Sequence, residues 1–542
     1  MLSRSAVSLG LGIAVAVVSL RGQVPPYDLL IRNARVVDGT GSPWYRSDVG
    51  IRGDEIATIA RRIDAPSTRT IDAADQVVAP GFVDIHVHAF GGAGRPPTPL
   101  PIVEVPTADN YVRQGVTTLI TGPDGFSPIP LEPVLALVAR TGTVPNVGTF
   151  VGHGSIREVV FGRVNRAPTP DELERMRAIA REAMQDGAFG LSTGLFYVPA
   201  TFSKTDEIAE LAKVVGQLGG MHISHMRDEE LDVEASVRET IAIGELGGLP
   251  TQVTHHKTIG KTSWGKTADT LRLIDDARQR GVDVTVDVYP YTASATSISA
   301  ALMPVWAQEG TRDDVLRRLG DAETRRKILV ATLQILLNGR GGGDARNVMV
   351  SRCDWNAAFA GKRLDEVARM RGKPGSIEDA ADTALWLVEN GDCGGIYFVI
   401  SEDDVQRVLR HPASMVASDG QVVLFGRASP HPRSYGTFAR VLGRYVRDLK
   451  VLTLEDAIRK MSAYPAQRLG LRDRGVLRER MKADIVILDP AAIRDLSTFE
   501  QPHQYAQGVS LVVINGQVVF ENGAITSARP GRILYGRAHD SR

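Results

Sequence analysis

From Ala79 to Leu469 short apolar runs alternate with amphipathic helical stretches, and over about 390 residues that rhythm leaves a parallel sheet with helical crossovers, closed as a barrel. Thr169-Pro170-Asp171-Glu172 opens one helix with a cap, a proline at the first helical position and an acid three residues on. Leu173, Met176, Ala180, Ala183 and Met184 then mark its apolar face, and Gly187 stops it. A second helix is predicted from Thr205, with Ile208, Leu211, Ala212, Val215 and Leu218 buried. Short strands follow at Met221–Ser224, Leu249–Thr254 and Val282–Val288. The rhythm breaks from about Pro304 to Gly395, a charged, helical stretch that reads as an insertion overhanging the barrel mouth, with Gly339–Gly343 as a flexible tip.

Both ends of the chain are strand-rich. Leu29-Leu30-Ile31, Arg35-Val36-Val37 and Ile56–Ile59 lie at one end, and Ala483–Leu488 and Leu511–Val519 at the other, with a hairpin signal. They are read as one small β domain formed when the ends meet. The predicted organisation is therefore a secretory signal over 1–24, β domain over 25–79, barrel over 80–470 with its insertion at 304–395, and β domain again over 471–542. The signal rests on Arg4 followed by the uncharged apolar run Ala6–Val18, short for a spanning helix; it implies export, with a periplasm as destination, an uncleaved anchor being the alternative.

Lysine plus arginine and aspartate plus glutamate each number 63, so no net charge or basic face invites nucleic acid. The two cysteines, Cys353 and Cys393, are too few for a thiolate zinc site and in an oxidising compartment could pair. After removal of the signal no stable membrane association is expected, and oligomeric state is left open.

Strand ends of such a barrel share one mouth, so the polar residues there form the candidate site. Val83–His88 reads as a buried strand ending in His-x-His, and residues two apart on a strand share a face, so His86 and His88 project together as a divalent ion requires. Asp124, His225, His255 and Asp419 follow other apolar runs in the same way. His153, His222 and His256 are histidines of lower rank, read as structural or lining groups.

Several stretches carry a resemblance. Pro80–His88, Leu191–Tyr197, Ser224–Glu229, His255-His256-Lys257, Tyr289–Ala293, Pro304–Gly310, Ser418-Asp419-Gly420 and His431–Gly436 resemble the amidohydrolase superfamily, and within it the N-acyl-D-amino-acid deacylases, from Tyr27 to about Ala528. The resemblance implies an α/β fold, a TIM-like (β/α)8 barrel of the metal-dependent hydrolase kind with a small β-sandwich built from both chain ends. It implies one or two Zn2+ ions on His86, His88, His225 and His255, with Asp419 as acid/base. Arg433, Lys257 and Tyr197 would bind the carboxylate of a small N-acyl amino acid, with Tyr289 or Tyr291 nearby. Where the family places a metal-bridging cysteine this chain has Asp124, a harder donor whose two oxygens could still bridge two ions, which leaves the number and kind of metal open.

The activity so implied is hydrolysis of the amide bond of N-acyl-D-amino acids. Alternatives are an amidohydrolase of cyclic amides or small D-peptides, and, in a different class, a metal-free exported barrel that binds a ligand without turning it over.

Overall fold

The computed structural model describes residues 26–90 and 100–541; the signal read over 1–24 lies outside them. Eight parallel barrel strands run Phe82–Asp84, Val116–Thr121, Asn146–Thr149 with its continuation Val151–Gly152, Gly190–Gly194, Met221–His225, Thr251–Val253, Val284–Val288 and Ser414–Val416. Helices cross between them, among them Pro170–Gln185, Thr205–Gln217, Val233–Gly247 and Thr267–Gln279. The predicted capping box is present, Thr169 accepting from the Glu172 amide and Glu172 from the Thr169 amide, and Met176, Ala180, Ala183 and Met184 are buried.

Val83–His88 does not run as one strand. It breaks at Ile85 and His86, and Val87–His88 pairs instead with Gly420–Gln421. Barrel closure is the reason. Asp84 Oδ1 accepts from the Ser418 amide at 3.0 Å and the His86 amide at 3.2 Å, while the Asp419 amide donates to His86 O at 3.0 Å. One buried carboxylate thus ties the first strand to the eighth where both deliver site residues.

The two chain ends join in a nine-stranded sheet, with Val77–Pro80 antiparallel to Ile485–Leu488. Side chains alternate across each strand. Leu29, Ile31, Val49, Ile51, Ile485, Ile487, Leu511 and Val513 fill a core of their own, over which the sheet folds as a sandwich. Val486, Leu488, Val512 and Ile514 turn the other way, into the barrel core. The Asn515-Gly516 pair, both at positive φ, forms the hairpin between Val509–Ile514 and Gln517–Glu521.

The segment between the seventh and eighth barrel strands contains more than the helices expected over 304–395. Ser294–Ser297, Val348–Arg352 and Gly394–Tyr397 form a three-stranded antiparallel sheet, and Cys353 and Cys393 are disulfide-bonded at its edge. Nor is Gly339–Gly343 a free tip. The Gly342 and Gly343 amides bond to Gly339 O and Leu336 O, and Arg340 in their midst is 2% exposed. Glycine here serves close approach rather than mobility, since a Cβ on Gly341 would overlap the Leu336 carbonyl.

Candidate active site

His86, His88, Asp124, His225, His255 and Asp419 converge at the barrel mouth. Asp419 Oδ1 lies 3.0 Å from His88 Nε2 and 3.4 Å from His86 Nε2. Asp124 stands across from it, Oδ1 at 3.4 Å from His86 Nε2 and Oδ2 at 3.5 Å from His88 Nε2. On its other side Asp124 Oδ1 faces His255 Nε2 at 3.5 Å and His225 Nδ1 at 3.7 Å. Two clusters of donor atoms result, His86–His88–Asp124–Asp419 and Asp124–His225–His255, with Asp124 common to both. Asp124, His255 and Asp419 all hold left-handed backbone, at φ of 57°, 35° and 51°. That conformation is costly outside glycine and gathers at functional sites, where it turns a side chain off the strand end into the mouth. Gly194 on the fourth strand lets the Asp124 loop in, because a Cβ there would overlap the Asp124 carbonyl.

The donor chemistry fits a divalent ion such as zinc. All six groups offer imidazole nitrogen or carboxylate oxygen. Both ring nitrogens of His86 and Asp124 Oδ1 are buried without a hydrogen-bond partner, and such orphans are rare unless another ligand satisfies them. His255 Nε2 and His225 Nδ1 approach to 2.7 Å, so one proton at most fits between them. Burial pushes His225 down to about 4. Burial and Lys257 act the same way on His255, but the carboxylates of Asp124, Glu229 and Asp419 outweigh them and raise it. Burial also drives Asp419 up, and the Arg433 guanidinium with the imidazoles reverses that and holds it below the usual carboxylate range.

The residues expected to hold a substrate carboxylate are also here, with partners of their own. Arg433 Nη1 is 2.7 Å from Asp419 Oδ2, and its guanidinium lies 4.7 Å over the Tyr289 ring. The Tyr289 hydroxyl is buried and unpartnered. Tyr197 packs its ring 4.7 Å from that of His225, and its hydroxyl accepts from Thr296 at 3.2 Å. Of the two tyrosines left open, Tyr291 sits apart, under Arg440 and against His431. Lys257 is not a free cation. Its Nζ donates to Glu229 Oε1 at 2.5 Å and contacts His255 Nδ1 at 2.8 Å.

Two residues of this cluster escaped the sequence reading. Glu229 is 1% exposed, and Arg340 reaches its Oε2 at 3.3 Å from the insertion while stacking 4.3 Å over Phe196. Glu229 follows its histidine by four residues, a spacing that could have flagged it; nothing in sequence marks Arg340. His153 is spent on Glu207 at 3.0 Å, which also holds Arg157. His222 bonds Thr193 and Thr251, and His256 bonds Thr270, so all three are structural.

A (β/α)8 barrel whose mouth gathers four imidazoles and two carboxylates defines a metal-dependent hydrolase. The model of the amidohydrolase family matches residues 69–520. D-aminoacylase of Alcaligenes xylosoxydans xylosoxydans is 35% identical over 532 residues, covering 94% of this chain and 98% of its own. N-acyl-D-glutamate deacylase of the same organism is 36% identical, covering 94% and 96%. The crystal structure of N-acyl-D-glutamate deacylase from Bordetella bronchiseptica, complexed with zinc and a phosphonate mimic of the tetrahedral intermediate, superposes with a TM-score of 0.79 at 32% identity over 94% of this chain and 100% of its own. The chain belongs to the amidohydrolase family and, within it, to the N-acyl-D-amino-acid deacylases.

Proposed function

We propose that this protein hydrolyses the amide bond of N-acyl-D-amino acids to a carboxylate and a free D-amino acid, using zinc. The observation that carries this reading is the pair of donor clusters sharing Asp124 beside the single carboxylate of Asp419. His86, His88 and Asp124 would hold one ion, and Asp124, His225 and His255 a second. Zinc held there supplies Lewis acidity, which makes water a nucleophile near neutral pH and polarises an amide carbonyl.

The chain's own groups do the proton work. Asp419, ionised because Arg433 and the imidazoles outweigh its burial, takes a proton from the attacking water as the water oxygen bonds to the carbonyl carbon. It returns that proton to the amine nitrogen as the C–N bond breaks. Arg433, with the Tyr289 hydroxyl beside it, meets the substrate carboxylate as a two-pronged donor. Tyr197 bounds the same space, and Lys257 contributes charge while bonded to Glu229. The metal-free binding barrel is set aside, because family membership makes the chain an enzyme.

Asp419→Asn should retain its metal, measured by elemental analysis, and lose turnover of N-acetyl-D-amino acids by about 10²–10⁴-fold or more. Full turnover in that variant would refute the assignment. Export is part of the same proposal, supported by the apolar run Ala6–Val18 and by the Cys353–Cys393 disulfide, a bond that persists in oxidising compartments. Cell fractionation tests it, and activity confined to the cytosol would contradict it.

A further inference from the structure

The Asp-Gly pair at the mouth has the chemistry of an ordinary turn. The Phe126 amide donates to Pro123 O at 3.1 Å, and Asp124 and Gly125 between them both hold left-handed φ, 57° and 79°, as Asp-Gly readily does. A turn closed on itself fixes its own shape and not its place in the fold. Gly122 before it is also left-handed, at φ 74°, so the chain enters the turn through the residue with the fewest rotational limits. Asp124 is common to both donor clusters and faces four imidazoles. A tilt of this turn would carry its carboxylate away from all of them together.

The Ser192 hydroxyl spans the turn from the fourth barrel strand. It donates to Gly122 O at 2.6 Å and accepts from the Gly125 amide at 3.2 Å. One side chain thus bonds the backbone on both sides of Asp124, which a hydroxyl can do because it donates and accepts at once. Ser192 is fully buried, so bulk solvent is out of reach to replace either bond. The other left-handed donors are held by their own amides, His255 N donating to Asp287 Oδ1 at 2.7 Å and Asp419 N to His86 O at 3.0 Å. Asp124 is held through its neighbours instead, by Ser192 and by the Ser155 amide, which donates to Gly125 O at 3.0 Å. Of these two anchors only Ser192 acts through its side chain.

We propose that Ser192 is a positioning residue of the metal centre, its hydroxyl pinning the Asp124 turn to the fourth strand and so setting the carboxylate between the two clusters. This rests on the reading of the donor clusters as a zinc site. The fourth strand then takes part in holding metal although it supplies no donor.

Ser127, three residues past Asp124, is the matched control. It is buried too, and its hydroxyl accepts from the Gly152 amide at 2.9 Å and donates to Pro128 O at 3.3 Å. Its loss takes a like pair of backbone bonds from the same loop, outside the Asp124 turn. The test is zinc retention by the full-length protein against a competing chelator, together with the visible absorption of the cobalt(II)-substituted protein, which reports the geometry of the ligands. Melting of the metal-free form is the control for folding. Ser192→Ala should weaken zinc retention about 10–100-fold and shift the cobalt bands, while Ser127→Ala keeps both as in the wild type. Unchanged zinc retention or unshifted cobalt bands in Ser192→Ala overturn the inference. So does an equal loss in Ser127→Ala, for that would make the effect one of loop packing at large. If metal-free Ser192→Ala melts well below the metal-free wild type, the cobalt bands alone decide, shifted bands upholding the positioning role and unshifted bands overturning it. A wild type that binds neither zinc nor cobalt removes the metal-centre reading itself, and this inference with it.

Discussion

Asp124 is where this chain departs from the thiolate its relatives' resemblance implies, and its geometry explains why a carboxylate serves. A thiolate bridges through one atom. Asp124 presents Oδ1 to His86, His225 and His255 and Oδ2 to His88, so Oδ1 faces both clusters and Oδ2 adds a second donor atom on the side of the first. Oxygen is the harder donor, and among the described residues the donor clusters contain no sulfur. Asp124→Ala should therefore lower bound zinc by at least one ion per chain, read by elemental analysis; unchanged stoichiometry would remove Asp124 from the ligand set. Arg433 is the other residue that decides the chemistry. Its guanidinium lies between Asp419 and Tyr289, and Arg433→Ala should raise KM for N-acetyl-D-amino acids tenfold or more, about 1.4 kcal/mol of lost binding. An unaltered KM would end its role in holding the carboxylate.

Among the elements, the histidine-bearing first strand and the insertion did most to separate pattern from structure. The pattern Val83–His88 pointed to one strand, and alternation placed His86 and His88 side by side. They do lie together, but after a break, because the Asp84 carboxylate diverts the chain to close on Ser418. The Gly339–Gly343 run was legible only as a permissive segment. Whether glycines permit motion or close contact depends on what surrounds them, and here the insertion's own Leu336 and Asn347, with Glu230 from the barrel, press against them. The disulfide staples the insertion's small sheet, closing a separation of 40 residues. Replacing Cys353 and Cys393 together by serine should cost the insertion about 2–4 kcal/mol. Limited proteolysis should then cut within 294–397 sooner than in the wild type; equal cleavage rates would show that the sheet holds without the bond.

For the molecule as a whole, the proposed metal centre is a closure device as well as a reactive one. Its donors come from the first, second, fifth, sixth and eighth barrel strands, so an ion held there binds the folded barrel and not the unfolded chain. Stripping metal with a chelator should lower Tm by several degrees, and restoring zinc should recover it; a Tm indifferent to both would deny the ion any part in stability. What the sequence determined alone was whatever local pattern and chemical type can express. Alternating runs required a crossover barrel, alternation on strands at both ends matched one sheet, and histidines and aspartates just past apolar runs named the donors. The tertiary structure alone decided the pairings. Arg340 reaches Glu229 across 111 residues, Lys257 is taken up by Glu229 although its position suggested a free cation, and Tyr289 rather than Tyr291 faces Arg433. A buried charge finds its partner through desolvation and the shape of the fold around it, and neither quantity is written in the order of the residues.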